Sequence, residues 1–425
     1  MELALFLVAI AIAIAIGFFT KVNSGYVAIV FAVLLGVLVY GFSFNAVIGM
    51  WPVSLFLMLT FVMLFYGFAI SNGTLSILAE QVTYAMRKVP YLLPIALWLF
   101  CLAVSAAGVG PIGVFAILAP TVMAIGMKAG MPRMLAAITV ISGGSIGAMS
   151  PISTGGIVVA NCAIANGYTD TMPIVLNTWL NLFIGQGLVF VLAYIIYKGW
   201  KLKGGEFSKP APMDKRQKQT LGIIVAVLLL TFLPPILNAI THVAFFSAMS
   251  KVCNVTATCV FGVILCQILN VASEKDAFKT IPWKTIMLIS GMCLLINTAV
   301  KYGLVDQLSA WITANIEGSL VIYLLIAIAA LMSFVSSSLG VVVPTLSTLV
   351  PALVGVTGAT PGLLYSAILV SAMLSGYSPF STSGGITMSG LQDEGERKKL
   401  YAQLLVAAPL FVVGFAVLVL IGIVA

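Results

Sequence analysis

Apolar runs about as long as a membrane-spanning helix recur along nearly the whole chain, with short polar loops between them. A helix needs about 20 apolar residues to cross the hydrocarbon core of a bilayer. Only 8% of the residues are charged, whereas a soluble domain carries about 25%. The pattern therefore predicts an all-α polytopic membrane protein with about ten transmembrane helices. The candidate spans are residues 3–19, 25–42, 52–72, 134–165, 174–197, 220–240, 254–272, 284–302, 361–391 and 400–424.

Two further apolar stretches, 89–126 and 319–357, are each too long for one span. Small residues and proline interrupt both near the middle, as SAAGVGP at 105–111 and SSSLGVVVP at 336–344. A stretch that enters the membrane, turns at such a tip and returns is a re-entrant hairpin, which is tolerated where protein or a wet cavity covers its backbone. The sequence predicts two re-entrant hairpins. The segments before them, 73–88 and 303–317, carry charge and are predicted to be amphipathic surface helices.

The basic residues lie almost entirely on one side of these predicted spans. If the loop 198–219 is cytoplasmic, 18 of the 20 Lys and Arg residues face the cytoplasm, and Lys251 and Lys301 are the exceptions. The positive-inside rule then predicts a multi-pass protein of a bacterial inner membrane with both termini in the periplasm. Because these cations are spread over short loops, the net charge of +8 does not indicate a nucleic-acid partner. The six cysteines contain no CxxC pair, so neither a disulfide framework nor a zinc site is expected.

An internal repeat relates the two halves of the chain. The segment SPISTGGI at 150–157 matches SPFSTSGGI at 378–386, and other pairs follow in order with offsets between 228 and 232 residues. Each copy holds five spans, so the second copy must be inverted in the membrane, which is typical of secondary transporters. The predicted organisation is a first repeat at 1–197, a basic cytoplasmic linker at 198–219 and a second repeat at 220–425.

The predicted binding site lies where the long spans 134–165 and 361–391 are interrupted. Their central segments, GAMSPISTGG at 147–156 and GYSPFSTSGG at 376–385, combine Pro and Gly and should unwind the helix. Unwinding frees carbonyl groups for a cation and creates a new helix N-terminus that favours an anion. With the hairpin tips, this predicts two half-sites at the repeat interface. The predicted substrate-binding residues are Ser105, Gly108, Ser150, Pro151, Ser153, Thr154, Ser337, Ser338, Ser378, Pro379, Ser381 and Thr382. The predicted cation-binding residues are Ser105, Gly147, Ser150, Ser336, Ser337, Gly376 and Ser378.

Charged side chains are missing from both tips and both interruptions. An anionic substrate would therefore be held by amides, hydroxyls and helix ends. Proton coupling through a protein usually needs an intramembrane carboxylate or histidine, and the single histidine, His242, is assigned to an outer loop. Sodium is the favoured coupling ion and the one metal expected, although a substrate that itself carries the proton remains an alternative. No Ser-His pair, paired Asp or metal-ligand cluster is found within the spans, so an enzyme is not expected.

At these residues the sequence resembles the MatC-type dicarboxylate (malonate) carriers, in the ion-transporter superfamily that includes the divalent anion/sodium symporters. The motifs are Lys21-Val-Asn-Ser-Gly25, Asn72-Gly-Thr-Leu75, Ser105–Pro111, Ala119-Pro120 and Ser150-Pro-Ile-Ser153; in the second half they are Ile281-Pro-Trp283 and Tyr302-Gly-Leu304. The tips differ from the symporter pattern Ser-Asn-Thr, reading Ser105-Ala-Ala107 and Ser336-Ser-Ser338.

This resemblance implies an elevator-type transporter that is a homodimer in the membrane lipid. It implies uptake of a small C3/C4 dicarboxylate together with Na⁺, and no other cofactor. A proton-coupled organic anion carrier and the membrane subunit of a binding-protein-dependent (TRAP-type) carrier are the alternatives.

Overall fold

The computed structural model describes residues 2–20, 22–203, 209–241, 243–304, 320–335, 337–389, 391 and 393–424. Throughout these residues the regular structure is helical. The helices of the first half are α1 (Glu2–Phe19), α2 (Ser24–Leu34), α3 (Phe44–Gly49), α4 (Val53–Ser71), α5 (Thr74–Ala85), α6 (Leu93–Val104), α7 (Gly110–Lys128), α8 (Arg133–Ala148), α9 (Thr154–Ala165) and α10 (Met172–Ile196). Those of the second half are α11 (Lys215–Thr241), α12 (Ala244–Val252), α13 (Val255–Ile268), α14 (Glu274–Thr280), α15 (Trp283–Tyr302), α16 (Leu320–Val335), α17 (Val343–Ser347), α18 (Val350–Thr357), α19 (Pro361–Ser375), α20 (Thr382–Ser389) and α21 (Glu394–Leu420).

By length and composition, five described helices are suited to cross a membrane, or six if one pair bent by 55° counts as a span. Several shorter apolar helices, such as α8, α13 and α19, lie beside them. The protein is thus a multi-pass membrane protein, and the count of ten spans stays a prediction. The predicted surface helix at 303–317 lies largely outside the described residues, as does His242, whereas the one at 73–88 corresponds to α5.

In each half of the chain, one long helix is preceded by a proline and followed by a glycine in the same conformation. Pro52 precedes α4 with φ −75° and ψ 70°, and Pro282 precedes α15 with φ −79° and ψ 64°. Gly73 and Gly303 follow these two helices in the left-handed conformation that glycine adopts readily. The helices α4 and α15 therefore begin and end with the same local features, and the inverted repeat itself stays a prediction.

These two helices run in opposite directions where they meet. Asn297, near the end of α15, donates to the Met50 carbonyl oxygen just before α4 at 3.0 Å. Further along, Leu59 of α4 and Ile286, near the start of α15, line the same cavity. By contrast α2 runs parallel to α15, since Asn23 donates to the Lys284 carbonyl oxygen at 2.7 Å and Gly36 packs against Thr298. Helices of the first half therefore pack directly on helices of the second.

Candidate functional site

The chain reverses direction at 105–110, the first predicted tip. Trp98 of α6 donates to Ser142 of α8, and Ser105, directly after α6, donates to the Gly144 carbonyl oxygen, further along α8. Helix α6 therefore runs parallel to α8. Phe115 packs on Gly144 while Gly126, later in α7, packs on Ala136, so α7 runs antiparallel to α8. Helices α6 and α7 are therefore the two arms of a hairpin. Its re-entrant position in a membrane stays a prediction.

Glycine makes the reversal possible. Gly108 has φ 117° and Gly110 has φ 72°, values that L side chains rarely adopt. A Cβ atom on Gly108 would lie 2.8 Å from the Tyr66 ring. The Tyr66 hydroxyl donates to the Ala107 carbonyl oxygen, which holds the tip against α4.

The first interruption, at 149–153 between α8 and α9, is bonded to this tip. Ser150 Oγ donates to the Ala106 carbonyl oxygen at 2.6 Å, and Ser105 Oγ donates to the Gly144 carbonyl oxygen at 2.7 Å. Gly147 permits the contact, because a Cβ atom there would lie 2.2 Å from the Leu102 carbonyl oxygen. The hydroxyls of Ser105 and Ser150 thus tie the tip to the interrupted helix.

Two hydroxyls at the start of α9 are free. Ser153 and Thr154 are buried, and neither side-chain oxygen has a hydrogen-bond partner. Thr154 Oγ1 lies 2.6 Å from the position of a Cβ atom on Gly110, so the tip glycine leaves room for it. Because neither hydroxyl bonds to the protein, both are available to donate to a ligand.

The second tip and interruption repeat this arrangement. Ser333 Oγ donates to the Ala372 carbonyl oxygen at 2.7 Å, which is the Ser105–Gly144 bond displaced by 228 residues. Ser338 Oγ donates to the same oxygen at 3.0 Å. Ser375 Oγ donates to the Ala330 carbonyl oxygen at 2.6 Å. At the same offset, the equivalent pair in the first half is Gly147 and Leu102, which are also in close contact. A constant offset across these contacts shows that both tips are held by one architecture.

The polar groups of the second interruption mostly bond to one another. Ser378 Oγ accepts from the Phe380 amide at 3.2 Å, and Ser381 Oγ donates to the Ser378 carbonyl oxygen at 2.8 Å. At the tip, Ser337 Oγ accepts from the Gly340 amide at 3.0 Å. These bonds fix the unwound backbone that precedes α20.

Both half-sites face one central cavity of about 50 Å³. Hydroxyl groups from the tips and interruptions form one side, and apolar side chains of α4 and α15 form the other. The described residues that line it carry no charge. They are Leu59, Met63, Pro111, Ile112, Phe115, Thr154, Pro282, Ile286, Ile289, Ser337, Ser338, Leu339, Met373, Ser381 and Ser383.

Four of the predicted site residues therefore line the central cavity: Thr154, Ser337, Ser338 and Ser381. The others hold the backbone around it or lie buried beside it, namely Ser105, Gly108, Gly147, Ser150, Pro151, Ser153, Gly376, Ser378 and Pro379. Ser336 and the side chain of Thr382 lie outside the described residues. Sequence reasoning missed Ser383, although it belongs to the predicted interruption 376–385. Within the described part of the chain, no group of three or more His, Cys, Asp or Glu residues is arranged to hold a metal ion.

A buried polar pair supports the second interruption from behind. Tyr377 Oη donates to Gln186 Oε1 at 2.7 Å, and both residues are fully buried. The backbone carbonyl of Gln186 accepts from Ser142 Oγ at 2.8 Å, which links the pair to α8. Gln186 Nε2 has no partner. Nothing in the sequence around Gln186 signals this role, because its partner lies 191 residues away.

A second cavity, the Asn-lined cavity, opens one helical turn further along α4 and α15. It measures about 380 Å³ and includes Asn161 and Asn166 near the end of α9 and Asn297 of α15. Leu55 and Cys293 line it, whereas Leu59 and Ile289 line the central cavity. The Asn-lined cavity is thus larger than the central cavity and lies next to it along these two helices.

Comparison with known proteins tests the family resemblance and the fold independently. Residues 1–148 match the family model of the dicarboxylate carrier protein MatC N-terminus. A search of curated protein sequences finds no match. Among solved structures, the chain is similar to the YdaH transporter of Alcanivorax borkumensis, described as having an unusual topology, with a TM-score of 0.61 and 17% identity. The similarity covers 88% of this chain and 86% of that one.

The family match covers four of the five first-half motifs that carried the resemblance, and the structural similarity shows a fold like that of the YdaH transporter over most of the chain. The resemblance to MatC-type carriers is thus confirmed over residues 1–148, and the protein is a membrane transporter and not an enzyme.

Proposed function

We propose that this protein takes up a small C3/C4 dicarboxylate together with sodium, by an elevator movement of the hydroxyl-bearing elements past α4 and α15. One observation carries the proposal: α9 and α20 begin beside the same cavity, where Thr154, Ser381 and Ser383 line its wall. The N-terminus of a helix offers unpaired amides and the positive end of its dipole. Two such ends at one cavity suit a ligand with two carboxylates.

The free hydroxyls determine how the first carboxylate binds. Ser153 and Thr154 are buried donors without a protein partner, and Thr154 lines the cavity. A carboxylate oxygen that accepts from Thr154 therefore displaces no hydrogen bond within the protein. Hydrogen bonds to a charged group contribute about 1.5–3 kcal/mol each. Because none of the described residues that line the central cavity is a cation, these donors and the helix dipole supply the attraction for the anion.

Sodium coupling fits the same chemistry. Serine hydroxyls and carbonyl oxygens are concentrated where each tip meets its interrupted helix, as at Ser150 with Ala106 and at Ser338 with Ala372. Hard cations take oxygen ligands of this kind. The proposed cation sites are therefore the two tip–interruption junctions, around Ser105, Gly147 and Ser150 and around Ser337, Gly376 and Ser378.

The walls of the central cavity support the elevator movement. Leu59, Met63, Ile286 and Ile289 present apolar surface to the hydroxyl-bearing side, and these side chains have no hydrogen bonds to break when it slides. The bond from Tyr66 to the Ala107 carbonyl oxygen is the contact between α4 and the first tip that must break. The opposite directions of α4 and α15 support the inverted arrangement on which such a movement depends. A cavity of about 50 Å³ holds a few water molecules, so binding of a dicarboxylate requires the tips to move apart. The homodimer, the inner-membrane location and the periplasmic termini are parts of the same proposal.

Uptake by proteoliposomes tests the proposal. Labelled malonate and succinate are offered with a sodium gradient, and then with choline in place of sodium at fixed pH and clamped potential. We expect uptake of at least one dicarboxylate that depends on sodium. Uptake that follows a proton gradient and ignores sodium would support the proton-coupled alternative. Uptake that requires an added periplasmic binding protein would support the TRAP-type alternative.

A further inference from the structure

A groove on the outer face of α8, α10 and α21 has a charged end and an apolar body. It has a volume of about 480 Å³. Ile138 and Ala193 are buried and form its floor, while Ile196, Val406 and Leu410 are exposed and form its rim. Because Ala193 is small between larger neighbours, the floor is recessed. The groove lies away from the central cavity, with which it shares no lining residue.

The charged end of the groove is rich in cations. Arg133, at the start of α8, donates to Gln403 Oε1 at 3.2 Å and pairs with Glu396. Lys399 Nζ lies 3.2 Å from the other oxygen of Glu396. Lys198 is exposed and directly follows Tyr197, which lines the groove. Two cations, Arg133 and Lys399, thus pair with one carboxylate, and Lys198 adds a third positive charge next to Tyr197. Lys398 and Glu394 nearby form a balanced pair at 3.3 Å.

We propose that this groove binds an anionic phospholipid, with one acyl chain on the recessed floor and the phosphate among Arg133, Lys198 and Lys399. The body of the groove is lined by apolar side chains, which offer methyl and methylene surface for an acyl chain to pack against. The excess positive charge lies at one end only, as a headgroup requires. A zwitterionic headgroup would bring its own cation against these three, so the site selects net negative charge. The positive-inside pattern assigns this end to the cytoplasmic leaflet. This inference is independent of what the protein transports.

Native mass spectrometry on the purified protein tests the site directly. Dioleoyl phosphatidylglycerol and dioleoyl phosphatidylcholine have the same chains and differ in net charge. We expect a saturable, tight first binding event with phosphatidylglycerol that is absent with phosphatidylcholine. Equal binding of the two lipids would overturn the proposal.

Two variants separate the groove from general attraction to the basic surface. Lys198→Gln with Lys399→Gln leaves the Arg133–Glu396 pair intact and should weaken the first binding event about thirtyfold, since a Lys near the surface contributes about 1 kcal/mol. Lys215→Gln with Lys218→Gln, on exposed positions of α11, is the control and should leave that event unchanged. Equal effects of the two double variants would overturn the proposal.

A third variant fills the body of the groove. Ala402→Trp places a large ring on an exposed position that lines it and should abolish the tight event while the oligomeric state in the same spectra stays unchanged. Unchanged lipid binding would overturn the proposal. A change of oligomeric state would also overturn it, because the groove would then be covered by a second copy of the chain.

Discussion

Thr154→Val tests the central site most directly, because transport and stability should respond in opposite directions. The hydroxyl of Thr154 is buried and unpartnered at the start of α9, and it faces the central cavity. Valine keeps the shape and removes the oxygen. Because Thr154 Oγ1 makes no hydrogen bond to the protein, the substitution breaks none, and the unfolding midpoint without substrate should stay the same or rise.

Substrate binding should weaken in the same variant. Loss of one hydrogen bond to a carboxylate removes about 1.5–3 kcal/mol. Since 1.4 kcal/mol corresponds to a factor of ten, the Kd of the dicarboxylate should increase roughly 10- to 150-fold. Thermal-shift titration in the presence of sodium measures both quantities, because the midpoint without ligand reports stability and its dependence on ligand reports Kd.

Thr139→Val is the matched control. Thr139 is also buried, but its Oγ1 donates to the Leu135 carbonyl oxygen within α8 at 2.8 Å. It should leave the Kd unchanged. If Thr154→Val binds substrate as tightly as the unmodified protein, the assignment of Thr154 to the site is refuted. If stability and binding fall together, the hydroxyl has a structural partner, and the reasoning from its unpaired state fails.

Three further substitutions or treatments probe the tip, the second half-site and the movement. Gly108→Ala places a Cβ atom against Tyr66 at φ 117°, so it should lower the unfolding midpoint, whereas Gly49→Ala, with open space around it, should not; equal midpoints would remove the strain argument. Ser383→Ala should raise the Kd roughly 10- to 150-fold through loss of a hydrogen bond to a carboxylate, and an unchanged Kd would assign recognition to the first half alone. Cys162 of α9 and Cys293 of α15 both line the Asn-lined cavity, so mercuric ion bridging the two thiols should stop uptake; Cys162→Ser and Cys293→Ser should each restore it, and inhibition that survives either change would exclude a bridge.

The sequence was sufficient to locate the tips and interruptions, because their residue types follow from backbone needs. A chain that reverses or unwinds needs glycine, proline and small hydroxyl residues, and these occur twice at nearly constant offset. The structure breaks α8 from α9 at 149–153 and α19 from α20 at 376–381, inside the two predicted interruptions. Short connecting helices such as α3, α12 and α14 were not predicted, since six to nine residues give too little periodicity.

The direction in which each hydroxyl points was not predictable. Ser105, Ser150 and Thr154 are equally small and polar, yet the first two donate to carbonyl oxygens of neighbouring segments, and only the third faces the cavity. The choice depends on which backbone oxygen lies within reach, and that is decided by packing between segments about 40 residues apart. The same limit applies to Gln186, whose partner Tyr377 belongs to the other half of the chain.

The hydroxyl groups that line the central cavity differ between the two halves, whereas the bonds that support the backbone around it match. The difference and the match have separate causes. The Ser105 and Ser333 bonds must match because both tips need the same support. Under the proposed function, the side chains that face the cavity bind a single ligand, so they are free to differ between the two halves. Ser383 stands where the first half has Gly155, and a Cβ atom there would lie 2.7 Å from the Ala148 carbonyl oxygen. The first half therefore offers its hydroxyls from the start of α9, and the second half offers an additional one within α20. An unsymmetrical arrangement of donors favours one orientation of the bound dianion, so a substrate with two unlike ends should bind in a single pose.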